Sequence, residues 1–306
     1  MTPRVAAAPC SYGVFEITIG RPGLPDGPEL VEAIAEGGYA GTELGPPGYL
    51  GHGGDVGRLL AEHDLELVGS FLPLRFTRED AFAEDLDDLD ATLGLLTDAS
   101  QNRERPLAVL SDGFDDPVRS RYAGAIEAHR EAWLGERGQR LLIDNIHRAA
   151  ERCRERGFTP TFHPHAGSYV ESPREVNMLL ERMDTSLLGL CFDTGHCAFG
   201  GGDPLALLRE AGELVNHVHF KDVDLELLAR LQKEGKGLED AWEAGVFCPL
   251  GTGEARVDDC LQQLLANGYD AWIVVEQDRV LAPGEPFENA LESAERNRAW
   301  LKERGL

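Results

Sequence analysis

The chain is predicted to fold as an α/β protein of the (β/α)8 TIM-barrel type, on three observations. Eight short apolar runs alternate with longer amphipathic ones along the whole sequence. The turn after the first run reads Tyr12-Gly13-Val14-Phe15-Glu16 and not G-x-G-x-x-G, which argues against the open doubly wound sheet, the nearest alternative. Finally, four apolar runs in the second half each end in a residue that can bind a metal or move a proton. In a parallel barrel all strand C-termini open onto one face, so these residues would meet.

The strands are expected at Val5–Ser11, Tyr39–Leu44, Glu66–Phe71, Leu107–Ser111, Thr159–His163, Leu187–Asp193, Val215–Phe220 and Trp272–Glu276. Between them lie the helices. Pro28–Glu36 starts after Asp26-Gly27 and stops at Gly37-Gly38. Asp55–His63 precedes the third strand, and Asp85–Thr97 is acidic on one side and Leu-rich on the other. Gly138–Arg156 places Leu141, Leu142, Ile146, Ala149 and Ala150 at helical spacing. Ser172 caps Arg174–Met183 with Pro173 at the first turn, and Asp203 precedes Pro204–Ala211. Val257–Asn267 and Pro286–Glu303 complete the set. Two long connections, Asp112 to Arg137 and Asp224 to Arg256, leave strand C-termini and are expected over the site face as lid or specificity segments.

A length of 306 residues suits one barrel domain, 1–306, and 42% hydrophobic residues supply a sizeable core. The net charge of −25 repels phosphate backbones and anionic lipids, so neither nucleic acid nor a membrane is expected as partner. No run approaches the roughly 18 apolar residues of a membrane span. The stretch from Met1 to Cys10 is too short in apolar residues for a signal peptide, and a cytoplasmic location is expected. The six cysteines include no C-x-x-C pair and are read as reduced thiols, mostly in or near the core.

Four motifs carry the chemistry. In Cys191-Phe192-Asp193-Thr194-Gly195-His196 a buried strand ends on a carboxylate that needs a cation or several donors. The bland alternative is a helix cap with His196 merely packed. In His217-Val218-His219-Phe220-Lys221-Asp222, strand alternation sends Val218 and Phe220 to the helices and His217, His219 and Lys221 to the barrel interior or mouth. Two histidines and a lysine on an inner face exceed what a structural core asks for. Trp272-Ile273-Val274-Val275 is apolar throughout and closes on Glu276, a ligand, a base or a rim ion pair. Thr161-Phe162-His163-Pro164-His165 places two histidines at a fifth strand end, one of which could simply bond the loop backbone. Glu171 either folds back to the mouth or favours the next helix N-terminus, with equal support from spacing. Glu43 ends the second strand and Glu16 follows the first; each faces substrate hydroxyls or the rim.

These motifs, together with Phe162–Glu171 (F-H-P-H-A-G-S-Y-V-E), Trp272–Asp278 (W-I-V-V-E-Q-D) and Ala244–Gly251, resemble the xylose isomerase-like barrel superfamily of sugar isomerases, epimerases and dehydratases. Within it the chain is most similar to the inosose dehydratases of inositol catabolism. The resemblance covers the whole chain and is strongest from Phe158 onward. It implies a divalent metal, commonly manganese or cobalt with magnesium or zinc as alternatives, held by a Glu, an Asp, a His and a second Glu. Asp193, His219 and Glu276 match three of these. Many relatives carry the first Glu near Thr161, which has no carboxylate. Glu171 is taken as the replacement, with His163 or His165 as the alternatives. That departure counts against a standard epimerase, whose two ligand glutamates also serve as bases.

The expected activity is a metal-dependent lyase that removes the proton next to a ketone and expels a β-hydroxyl, with a keto-polyol such as 2-keto-myo-inositol as the small-molecule substrate. Glu276, His196 and His163 are the candidate proton carriers, and His165, Lys221, His217 and Glu43 the candidate substrate contacts. The alternative is a metal-dependent isomerase or epimerase of a ketose or keto-glycoside. Homo-oligomerisation is compatible with either.

Overall fold

The computed structural model describes residues 2–100 and 103–306, so Met1, at the head of the N-terminal stretch read above, and residues 101 and 102 lie outside it. Eight parallel strands close on themselves: β1 (Arg4–Ala7), β2 (Gly41–Glu43), β3 (Glu66–Leu74), β4 (Leu107–Asp112), β5 (Pro160–Phe162), β6 (Gly189–Asp193), β7 (Val215–Phe220) and β8 (Trp272–Val275). Each pairs with its sequence neighbours, and β1 pairs with β8 to close the ring. The outer helices are α1 (Gly27–Glu36), α2 (Gly54–Glu62), α3 (Glu79–Ser100), α4 (Glu136–Glu155), α5 (Pro173–Arg182), α6 (Pro204–Ala211), α7 (Val257–Ala266) and α8 (Glu288–Lys302).

The expected elements are present with shifted ends. β1 stops at Ala7 because Pro9 opens a 3-10 turn, Pro9–Tyr12, and cannot donate to a ladder. α3 begins six residues earlier than its Leu spacing suggested; Glu79 and Asp80 in its first turn suit the helix dipole. α1 begins with a capping box, in which Asp26 accepts from the Glu29 N–H and Glu29 accepts from the Asp26 N–H. Outward residues of the strands, such as Phe162, Phe192, Val218 and Phe220, pack with Leu142, Ile146, Leu179 and Leu208 of the helices in one continuous core.

The two long connections do lie over the mouth. The first carries the helix Pro117–Arg121 and short 3-10 turns, and the second carries the helices Leu225–Lys233 and Leu238–Glu243. A two-residue ribbon, Asp222–Val223 against Phe247–Cys248, ties the second connection to the end of β7. Phe15, Phe199, Leu238, Trp242 and Phe247 form a separate apolar cluster there. The first connection is clamped. Arg119 is fully buried and forms two bonds to Glu175, at 2.8 and 2.9 Å, and a third to the Ser168 carbonyl. Glu175 also accepts from the N–H groups of Glu171 and Ser172, so one carboxylate joins the connection, the β5–α5 loop and the start of α5. All six cysteines are free, three of them buried. Among the described residues, no helix is long and apolar enough to cross a membrane.

Candidate metal centre

Register and alternation decide which side chains meet. Asp193 of β6 is paired in register with His219 of β7, so both project inward at one level. The Glu276 N–H donates to the Phe220 carbonyl, which sets Glu276 beside Lys221 at the next level toward the mouth. Outward Phe162 leaves Thr161 and His163 facing in, with His163 nearer the mouth. As a result, His163, Asp193, His219 and Glu276 offer ligand atoms that all lie within 4.8 Å of one another.

Asp193 has the geometry for both roles that the sequence left as alternatives. Its Oδ1 caps the short helix Thr194–Phe199 by accepting from the His196 N–H at 2.8 Å. Its Oδ2 faces His163 Nε2 at 3.3 Å and His219 Nδ1 at 3.6 Å. Glu276 Oε2 lies 3.3 Å from the same Nδ1. His219 Nε2 is 3.0 Å from Glu43 Oε1, and Glu43 is also 2.7 Å from His217 Nε2. Burial pushes the Glu43 carboxyl up, but the imidazoles of His219 and His217 outweigh it and hold it at about 2. An ionised Glu43 fixes the proton of His219 on Nε2.

That tautomer tests whether the site suits a cation. Nδ1 of His219 is buried without a hydrogen-bond partner between two carboxylate oxygens. Although burial disfavours charge on this imidazole, Cys191, Glu276 and Glu43 outweigh it and hold its pKa well above the usual value. Two carboxylate oxygens and an imidazole nitrogen facing one buried point favour a positive charge among them. Two imidazoles and two carboxylates are a donor set suited to manganese, cobalt, zinc or iron. The residues therefore fit a divalent ion. The carboxylate that the resemblance places near Thr161 has its nearest counterpart in the His163 imidazole; the Thr161 hydroxyl below it is buried without a partner.

Glu171, expected as the fourth ligand, is not brought to this group. The β5–α5 loop folds back on itself, with the His165 N–H bonded to the Val170 carbonyl. The Glu171 carboxylate turns to the N–H groups of Gly167 and Gly124 and secures the first long connection instead. His217 departs from its expected role as well. It is fully buried beneath His219 and reaches Glu43, not the cleft. Glu43 lines the cleft but spends its Oε1 on the two histidines. Space for this pair comes from Gly69 of β3, where a Cβ would stand 2.7 Å from Glu43 Oε1.

Lys221 lies beside the four-residue group. Its ammonium is 2.8 Å from Glu276 Oε2, 2.9 Å from Asp278 Oδ1 and 2.9 Å from His196 Nε2. Burial disfavours its charge, but Asp278, Glu276 and Asp193 outweigh burial and raise its pKa. The role of Gly195 follows from this. It adopts a helical conformation, and a Cβ on it would stand 2.5 Å from Lys221 Cγ, so glycine supplies room for the lysine stem and not a turn. The Ala166 N–H donates to His196 Nδ1 at 3.2 Å, and His196 Nε2 lies 2.9 Å from the Lys221 ammonium. His165 donates from Nδ1 to the Ala166 carbonyl at 2.8 Å, which leaves its Nε2 lone pair free. Burial, with His163 and Lys221 nearby, lowers its pKa to about 3, so it is neutral at physiological pH.

Over these groups opens a cleft walled by Phe71, Phe114 and Trp242. Phe114 stacks on His165 with ring centres 4.9 Å apart, and Trp242 Nε1 donates to Asp278 Oδ2 at 3.2 Å. Phe114 and Trp242 belong to the two long connections, where no periodic pattern marked them. Asp278 stood inside a quoted motif, and its spacing from Glu276, two residues along an extended segment, was the available signal.

The chain matches the model of the xylose isomerase-like TIM barrel family over residues 31–304. It is 28% identical over 293 residues to an inosose dehydratase of Geobacillus kaustophilus (strain HTA426), covering 93% of this chain and 90% of that protein. The rhizopine catabolism protein MocC of Rhizobium meliloti is 33% identical over 251 residues, 82% of this chain and 74% of its own. Among solved structures, the IolI protein with a bound zinc atom superposes with a TM-score of 0.68 at 13% identity, covering 97% of each chain. With its closed eight-stranded barrel and a family match spanning nearly its whole length, the chain belongs to the xylose isomerase-like TIM barrel family.

Proposed function

We propose that this protein is a divalent-metal-dependent hydro-lyase that dehydrates a keto-polyol such as 2-keto-myo-inositol. The observation that carries the reading is the convergence of His163, Asp193, His219 and Glu276 on one point, with Nδ1 of His219 held between two carboxylates. The likeness to an inosose dehydratase over 93% of the chain supports the substrate class. Manganese or cobalt is the proposed ion, with zinc or magnesium as substitutes. His163, Asp193, His219 and Glu276 would hold it. When bound, it supplies Lewis-acid polarisation of the ketone.

The remaining work falls to side chains around the cleft. His165 lines the cleft, its tautomer is fixed by the Ala166 carbonyl, and its Nε2 lone pair is free, so it is the proposed base for the α-proton. The electrons of the broken C–H bond form the enolate double bond, then expel the β-hydroxyl. The Lys221 ammonium is the proposed donor of the proton that lets the hydroxyl leave as water. His196, one of the proton carriers expected from sequence, contacts the Lys221 ammonium and is proposed to orient it. Asp278 holds the same ammonium and is held in turn by Trp242. The aromatic walls exclude water from the enolate.

Incubating metal-loaded protein with 2-keto-myo-inositol and following the absorbance of the enolised diketone tests the reading; absence of product rejects this substrate. Epimerisation by paired glutamate bases finds less support, because a histidine, His163, stands in the group in place of a second glutamate. Solvent deuterium entering substrate without water loss would instead favour it.

A further inference from the structure

Next to the four-residue group lies a second set of side chains able to hold a cation. Ligand atoms of His165, His196 and Asp278 also lie within 4.8 Å of one another, and all three residues are buried. His165 keeps a free Nε2 lone pair. Nε2 of His196 and Oδ2 of Asp278 are 3.7 Å apart, a separation that a shared ion would span. The Lys221 ammonium already touches two members of the set, at 2.9 Å from His196 Nε2 and 2.9 Å from Asp278 Oδ1. The same nitrogen is 2.8 Å from Glu276 Oε2 and 3.7 Å from Asp193 Oδ2, the carboxylates of the first group. It bridges the two sets as a second metal ion would.

Resting on the metal centre proposed above, we infer that Lys221 is a built-in substitute for a second metal ion: its ammonium keeps the centre mononuclear, and its removal opens a binding site for a second divalent cation at His165, His196 and Asp278. Charge and space both support this. Asp193, Glu276, Asp278 and Glu43 bring four negative charges into a buried region. One divalent ion and the lysine leave a single negative charge uncompensated; two divalent ions without the lysine leave none. Burying that much uncompensated charge is costly, so the vacated region favours a cation. Removing the lysine empties the ammonium position, which lies 2.9 Å from both His196 Nε2 and Asp278 Oδ1, and the path of its stem beside Gly195. A lysine in this position also gives a charge that cannot be exchanged or chelated, and a proton that a metal ion lacks.

The test is metal stoichiometry, measured by equilibrium dialysis against Mn2+ followed by elemental analysis. Wild-type protein is expected to hold one equivalent per chain. Lys221→Ala is expected to hold two, with coupling between the Mn2+ spins visible in the electron paramagnetic resonance spectrum. Adding His165→Ala to Lys221→Ala is expected to return the count to one, and millimolar methylammonium, which refills the ammonium position, to displace the second equivalent selectively. Lys221→Gln serves as a second neutral variant if the alanine protein does not fold. One equivalent in Lys221→Ala or Lys221→Gln, a second equivalent indifferent to His165, or two equivalents in the wild type each overturns the inference. No binding by the wild type would instead defeat the underlying metal centre, a distinct outcome.

Discussion

Oε1 of Glu43, at the end of β2, lies 3.0 Å from Nε2 of His219, on β7 across the barrel interior. The contact is buried on both sides. It fixes which nitrogen of His219 bears the proton, and hence which one faces Asp193 and Glu276. Carboxylates bonded to the far side of a ligating histidine typically change metal affinity 10–100-fold when lost. Glu43→Gln is therefore expected to weaken Mn2+ binding by about one to two orders of magnitude, without loss of fold. An unchanged dissociation constant in a metal titration would refute this role.

Asp193→Asn separates the two functions of that side chain. An amide oxygen still accepts the His196 N–H and caps the helix, as Asn caps about as well as Asp. The charge facing His163 and His219 is gone. The variant should fold with a native circular dichroism spectrum, bind far less than one equivalent of metal, and lose dehydratase activity by about a thousandfold or more. For the wild type, saturating metal at about 100 times its dissociation constant should add about 2.7 kcal/mol of stability, read as a rise in melting temperature that EDTA reverses. A melting temperature blind to EDTA and Mn2+ would count against the centre.

Arg119 offers a stability test away from the chemistry. It is fully buried against Glu175, whose side chain is 5% exposed. Removing one partner of a buried pair leaves an uncompensated charge, so Arg119→Ala should cost about 3–5 kcal/mol, measured by urea denaturation. Replacing both partners, as in Arg119→Met with Glu175→Leu, should cost clearly less. Equal losses in the single and double variants would show that the ion pair is not the source.

Glu171 gives the pH dependence. Burial raises its carboxyl to about 7, against the opposing pull of Arg119 and the Gly167 and Gly124 N–H groups. An unfolded Glu titrates near about 4.3. The native state thus holds the proton more tightly, so the contribution to stability is complete below the unfolded value and is lost as the pH rises through about 7. Glu171→Gln, which stays neutral, should lose about 3 kcal/mol less than wild type between pH 4 and 8. Parallel stability curves for the two proteins would remove Glu171 from this account.

Much of the architecture is legible before any coordinates, because it depends on local patterns. β7 runs from Val215 to Phe220 as alternation predicts, with Val218 and Phe220 against the helices and His217 and His219 inside. α6 spans Pro204–Ala211, as its Asp-Pro start and Gly212 stop indicate. The ends that move do so through contacts beyond the pattern, as at Pro9 and at the first turn of α3. The site is read less completely. Glu171 and His217 carry suitable chemistry, yet a loop folding back on Gly167 and a two-residue difference in depth along β7 send them to other partners.

By itself the sequence determined the order of strands and helices, the inward face of β7, and Asp193, His219 and Glu276 as residues at strand ends, since a period of two and an apolar run stopping on a charged group are properties of neighbouring residues. Only the tertiary structure decided that His163 and not Glu171 stands with them, that Lys221 bridges Glu276 and Asp278, and that Phe114 and Trp242 wall the cleft. Those facts depend on barrel closure, strand register and the path of long loops, which bring together residues up to a hundred or more positions apart and leave no mark in the spacing of any one segment.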